Sequence, residues 1–185
     1  MMTRKEILLK IQPRMKEKRF LHTIGVADTA MKLAEQSGID PSKAELAGLL
    51  HDVCKYANRE WMAEQIKSHA LDPRLLDYHH ELWHGPVGSL VAKYEFGVDD
   101  EDVLNAITYH TTGRQGMSTL EKIIYVADLI EPSREFTKVD DLREWAAKDI
   151  ELGMKYGIRH TVQFLVKQKQ VVFPDSFECY NDCWK

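Results

Sequence analysis

Apolar residues recur at three- and four-residue intervals along nearly the whole chain, and nowhere do they alternate with polar ones over the length of a strand. That period restricts the chain to helices joined by short polar connections, and an all-α bundle follows. Ile7, Leu8, Ile11 and Met15 begin the pattern, interrupted by Pro13. Over 15–36, Leu21, Ile24, Ala27, Met31 and Leu33 share one helical spacing, and Gly38 stops it. Asp40-Pro41-Ser42 opens the next helix, with proline suited to its first turn, and this helix carries Leu46, Leu49, Leu50 and Val53.

Further boundaries follow from cap residues. Asn58 precedes a helix through Trp61, Met62 and Ile66, and a short helix follows Asp72-Pro73. Pro86 and Gly97 bracket a helix with Val87, Leu90, Val91 and Tyr94. Asp99-Asp100 precedes one through Val103, Leu104 and Ile107, which Thr111-Thr112-Gly113 ends. Ser118 with Glu121 reads as a capping box for a helix ended by Pro132. The stretch 139–169 is helical by period, and Gly153 and Gly157 suggest a division into two. From Val171 onward no period is visible. The expected organisation is one domain over 1–170 and a tail over 171–185 that packs on or near the functional site.

Composition narrows the class of function. With 185 residues, 44% of them hydrophobic, the chain can bury a core of its own. Twenty-five Lys and Arg against 29 Asp and Glu give a net charge of −4, which argues against a general nucleic-acid binder. No 18-residue apolar run or leader peptide is visible, so no membrane partner is expected. Three cysteines, with Cys54 alone and Cys179 and Cys183 spaced C-x3-C, form neither a disulfide scaffold nor a zinc knuckle. A reducing cytoplasm is the expected setting.

The chemistry lies in the placement of His and Asp. His51-Asp52 stands late in the apolar helix ELAGLLHDVCK, where a buried Asp is costly without a partner. Neighbouring helical residues point about 100° apart, so two such side chains converge on something lying between them, as a metal does. Imidazole nitrogen with carboxylate oxygen suits iron, manganese or zinc. Taken alone, such a dipeptide reads more readily as a helix surface feature. The surroundings change that reading. His22 lies in RFLHTIGVA, flanked by Leu21 and Ile24. Asp128 lies among apolar residues in IIYVADLIEP, His84 opens a helix in HGPVG, and His110 closes one in ITYHTTG. The order is therefore His, His-Asp, His, His, Asp over five expected helices.

This series resembles the signature of the HD-domain phosphohydrolases. The segments RFLHTIGVADTAMKLAEQSGID, KAELAGLLHDVCK, HGPVGSLVA and HTTGRQGMSTLEKIIYVADLIEPSR are similar to the YqeK family within that superfamily, over about residues 5–170. The resemblance implies an all-α HD-domain helical bundle, a homodimer, and an iron centre for which manganese and cobalt are alternatives. It implies symmetrical hydrolysis of diadenosine tetraphosphate to two ADP. His22, His51, Asp52 and Asp128 match the metal positions. Asp52, His84 and His110 are the catalytic candidates. Lys55, His84, His110, Thr111 and Arg134 are the substrate-binding candidates. Cys54 stands where a small residue is expected and carries no role.

A divalent metal at such residues lowers the pKa of bound water and screens phosphoryl charge. Lys55, four residues after His51, is expected on the same helix face and near the phosphates. His84 and His110 are open to phosphate contact, general-acid work or a second metal. Arg134 suits a terminal phosphate. Phe173-Pro174-Asp175 is a candidate to fold back over the nucleotide. Asp28 lies off the face of His22, and His79-His80 reads as a surface pair. His69, His160, Trp61, Trp83 and Trp145 read as surface, core or interface residues. Two other readings stand beside the main one: a different HD-domain nucleotide phosphohydrolase, such as a nucleotidase or alarmone hydrolase, and a non-catalytic nucleotide-binding module.

Overall fold

The computed structural model describes residues 2–185 and contains no strand among them. Its α-helices, in chain order, are α1 (Arg4–Ile11), α2 (Glu17–Ser37), α3 (Pro41–Leu50), α4 (Arg59–Ser68) and α5 (His84–Phe96). Then come α6 (Glu101–Tyr109), α7 (Thr119–Ile130), α8 (Val139–Lys148), α9 (Ile150–Lys167) and α10 (Pro174–Cys183). Short 3-10 helices lie at Gln12–Arg14, Pro73–Asp77 and His80–Leu82. None of the described helices is long and apolar enough to cross a membrane.

Local chemistry sets these boundaries. Asp40, Asn58, Asp100 and Ser118 each accept backbone N–H bonds at a helix start, from Ser42, Trp61, Asp102 with Val103, and Glu121. Gly38 and Gly97 end α2 and α5 at φ +69° and +70°, where a side chain would be strained. At Ser118 only half of the expected capping box forms. The buried Glu121 carboxylate turns instead to Arg114, at 2.9 and 2.6 Å.

α2 packs on α3 and α7, and α6 lies between α5 and α7. The close approach of α2 to α3 rests on small residues: a Cβ on Gly48 would come within 2.7 Å of the Ala27 Cα. Ala27, Ala30, Ala44 and Ala47 are all fully buried beside it. This crossing sets His22 of α2 near the end of α3, where His51 and Asp52 lie.

Four expectations need correction. First, α3 stops at Leu50, so Val53 and Lys55 are not on it. In a continued helix the Gly48 carbonyl would serve Asp52 N–H; here it accepts from His51 Nδ1 at 2.7 Å. The chain tightens into i−3 bonds, from Val53 to Leu50 and from Lys55 to Asp52, and the shared helix face expected for Lys55 and His51 does not exist. Second, the 139–169 stretch divides at Asp149, which is extended and caps Glu151, rather than at a glycine. Gly153 and Gly157 instead let α9 approach Ala146 and Leu129. Third, the tail forms α10. Its buried face is made of small residues, Ser176 and Cys179, which leave no apolar period to read. Fourth, Leu21 is 60% exposed. The inward stripe of α2 runs through His22, Thr23, Val26, Ala27 and Ala30.

The tail shares the main core. Phe173 and Cys179 are buried with it, and Asp175 accepts from Arg74 at 2.9 Å. Phe173 stands edge-on to Tyr78 at 4.9 Å and lines a cavity with Tyr109 and Thr112, residues that flank His110 and Thr111. It does not line the cleft beside His22. An apolar ring gains more by burial in the core than by waiting over a charged cleft.

Candidate metal centre

Five elements deliver one group each or a pair. α2 supplies His22, the end of α3 supplies His51 and Asp52, the first residue of α5 is His84, the C-cap of α6 is His110, and α7 supplies Asp128. All are buried except Asp128, whose side chain is one-fifth exposed.

The histidine tautomers follow from their partners. Nδ1 of His51 donates to the Gly48 carbonyl at 2.7 Å, that of His84 to Glu81 at 2.5 Å, and that of His110 to Ile107 at 2.7 Å. A carbonyl can only accept, so the proton sits on Nδ1 in each case. Nδ1 of His22 donates to Glu131 Oε1 at 2.9 Å. In the neutral rings, all four Nε2 atoms then present bare lone pairs.

Those four nitrogens converge on two carboxylates. Asp52 Oδ2 lies 3.2 Å from His51 Nε2 and 3.8 Å from His22 Nε2, while Asp52 Oδ1 lies 3.0 Å from His84 Nε2 and 3.8 Å from His110 Nε2. Asp128 Oδ1 is 3.0 Å from His22 Nε2, and the Nε2 atoms of His84 and His110 face each other at 3.0 Å. Lone pairs directed at one another repel. The buried Nε2 atoms of His22 and His51 also lack any hydrogen-bond partner, a costly state for buried nitrogen. A divalent cation removes both penalties, so the residues fit a metal. Nitrogen and oxygen donors together suit a first-row divalent ion.

Protons can take the place of the cation between these groups. Burial opposes charge on Asp52, yet His51 and His84 hold its carboxyl well below the usual range. Burial opposes charge on Asp128 too, yet His22, His51 and Arg134 hold it low. Burial, with His84 and His51 nearby, pushes the His110 imidazole down to about 3, so it is neutral at physiological pH. Burial also works against a charged His51, but Asp52 and Asp128 draw its pKa upward, so protons and cations compete for that nitrogen.

The outer contacts include residues that pattern reading passed over. Glu131, buried, holds His22 and is itself held by Ser133, through N at 2.8 Å and Oγ at 2.5 Å. A Cβ on Gly25 would stand 2.6 Å from Glu131 Oε2, so a glycine at 25 leaves room for that carboxylate. Arg143 of α8 donates to the carbonyls of Ile130, Glu131 and Arg134, fastening the turn that carries them. Arg19 reaches Asp52 Oδ2 at 2.8 Å. Signals existed in the sequence: Arg19 and Gly25 lie three residues either side of His22, and Glu131 lies three after Asp128, spacings that share a helix face.

The remaining candidates divide. Arg134 binds the Asp128 carboxylate, and its Nε donates to the Asp128 carbonyl at 2.7 Å, so it clamps this ligand candidate. Lys55 pairs with Glu81 at 2.9 Å in a cavity shared with His84 and His80. Thr111 Oγ1 is 3.3 Å from His110 Nε2. Asp28 pairs with Arg4 at 2.7 Å, and His79 caps Glu81. Trp83 donates to the Leu75 carbonyl and Trp145 stacks on Tyr156, while His160 stacks on Phe136. His69 and Trp61 are exposed. Burial pushes the Cys54 thiol up to about 12, which leaves it inert.

Glu131→Gln keeps an acceptor for His22 but removes the charge that would strengthen it as a ligand. The variant is expected to bind manganese about 10- to 100-fold more weakly. Calorimetric titration checks this, and an unchanged affinity would remove Glu131 from the account.

The HD domain profile matches residues 19–133. A relative from Bacillus subtilis (strain 168), named "Bis(5'-nucleosyl)-tetraphosphatase, symmetrical", is 47% identical over 180 residues, 97% of each chain. One of the same name from Staphylococcus aureus is 45% identical over 167 residues, 89% of this chain and 86% of its own. A solved structure from Clostridium acetobutylicum, described as a "predicted HD superfamily hydrolase involved in NAD metabolism", is 39% identical. It superposes with a TM-score of 0.94 over 100% of this chain and 98% of its own. With an all-α fold that gathers His22, His51-Asp52 and Asp128 at one buried centre, the chain belongs to the HD-domain family.

Proposed function

We propose that this chain hydrolyses dinucleoside tetraphosphates, diadenosine tetraphosphate above all, at the central phosphoanhydride bridge to give two ADP. The observation that carries the reading is the convergence of four Nε2 lone pairs on Asp52 and Asp128, beside a cleft lined by Lys16, Lys18, Arg19 and Arg134. The names of the full-length relatives support the substrate.

His22, His51 and Asp128, with Asp52 Oδ2, would hold one cation. His84 and His110, with Asp52 Oδ1, would hold a second. The opposite oxygens of Asp52 facing separate histidine pairs support two ions rather than one. Such cations, when bound, supply Lewis acidity and lower the pKa of water. Iron is our assignment, with manganese and cobalt able to share the same donors. General-acid work by His84 and His110 has less support than ligation, since their Nδ1 protons are donated to backbone carbonyls and their Nε2 atoms face Asp52.

The chain's own groups do the rest. Arg19 and Arg134 fix the two carboxylates and present cationic edges toward the polyphosphate. Lys55 offers a point charge on the His84 side, released from Glu81 when phosphate arrives. Thr111 offers a hydroxyl beside His110. Burial of the centre excludes bulk water and strengthens each of these interactions. We also assign the tail over 171–185 the task of backing the His110 turn, and place the enzyme in the cytoplasm as a homodimer, on the family resemblance.

Incubation without air, with ferrous iron and diadenosine tetraphosphate, tests the reading. Two ADP per substrate are expected. ATP with AMP, or no turnover, contradicts it.

A further inference from the structure

Two clefts reach the His/Asp centre, and they are unequal. The larger, about 450 Å³, includes His22 in its lining and is walled by Tyr56, Phe136, Arg19 and Arg134. The smaller, about 180 Å³, includes His84 and is lined by Lys55, Tyr56, Arg59 and His80. Tyr56 belongs to both. His22 and His84 face opposite oxygens of Asp52, so the clefts approach the two sides of one carboxylate.

Size and chemistry separate them. Pockets that bury a small-molecule ligand hold about 300–1,000 Å³. The larger cleft falls in that range and the smaller falls below it. The larger adds Phe136 to the shared Tyr56, so that two rings stand with the Arg19 and Arg134 guanidinium groups, as a base and its phosphates require. The smaller offers the cations Lys55 and Arg59 and is narrowed by the 2.9 Å pair of Lys55 with Glu81. That suits phosphate oxygens better than a nucleoside, whether Lys55 is paired with Glu81 or turned to the phosphate.

We infer that only the larger cleft recognises a nucleoside, that the smaller recognises phosphate alone, and that the enzyme therefore also splits adenosine 5′-tetraphosphate into ADP and pyrophosphate. This rests on the tetraphosphatase reading above. Water adds to one of the two inner phosphorus atoms, and the central bridging P–O bond breaks. The bridging oxygen leaves with the other half, and the water proton passes to the released phosphate or to solvent. No oxidant or further reactant is needed. In the dinucleotide, the second nucleoside extends past Arg59 into solvent, so its base is not read.

Steady-state kinetics of the iron-loaded full chain on both substrates tests this. Adenosine 5′-tetraphosphate is expected to give ADP and pyrophosphate with kcat/KM within about tenfold of that for diadenosine tetraphosphate. Tyr56 is half exposed, so Tyr56→Ala is expected to fold, as a thermal melt will verify, and to raise KM about tenfold for both substrates. If diadenosine tetraphosphate yields two ADP while adenosine 5′-tetraphosphate is untouched, or is cut to ATP and phosphate, the inference is overturned and the main reading stands. A KM effect of Tyr56→Ala on the dinucleotide alone also overturns it. If the dinucleotide itself is not split to two ADP, the main reading falls and takes this inference with it.

Discussion

Asp52→Ala is expected to lower turnover of diadenosine tetraphosphate at least about a thousandfold, because it removes several kcal/mol of transition-state charge stabilisation. Asp52 reaches both sides of the centre through its two oxygens. One oxygen faces His51 and His22, the other His84 and His110, and Arg19 binds the same carboxylate. The fold is expected to survive. Arg19 is about one-quarter exposed and can turn to water, so its charge is not left buried without a partner. Single-turnover assays on the folded variant, checked by circular dichroism, measure the loss. A variant that keeps a tenth of wild-type turnover would refute the role given to Asp52.

Chelation is the second large effect. A strong chelator is expected to abolish turnover, and ferrous iron to restore it, with manganese or cobalt restoring part. Stability should fall as well. A ligand at a hundred times its Kd stabilises the folded state by about 2.7 kcal/mol. For a chain of this size that corresponds to a Tm lower by about 5–10 °C. The drop arises because His22 and His51 otherwise keep buried nitrogens without partners. Full turnover in excess chelator, at equilibrium, would remove the metal from the chemistry.

Much of this centre was legible in the sequence because it is written in local signals. His22 lies on a clear amphipathic helix, His51-Asp52 closes an apolar one, and His84, His110 and Asp128 sit near helix ends marked by Pro, Gly or cap residues. What stayed hidden depends on contacts between distant segments. That Glu131 is buried against His22, 109 positions away, follows from the α2–α7 packing and not from any short motif. The break after Leu50 depends on a side-chain bond from His51 to the carbonyl of Gly48, which periodicity does not register. α10 escaped because its inward face is Ser176 and Cys179, too weakly apolar to show a period. Arg134 was legible as a cation near the site, but its attachment to Asp128 was visible only once the turn after α7 was seen to fold back.

The most direct test of the central claim is a count of metal ions per chain. Protein loaded with ferrous iron without air and freed of excess is expected to hold two ions per chain by elemental analysis. His84→Ala is expected to hold one, and Asp52→Ala fewer than one. No stoichiometric metal in the wild-type chain, or an unchanged count in both variants, would contradict the account.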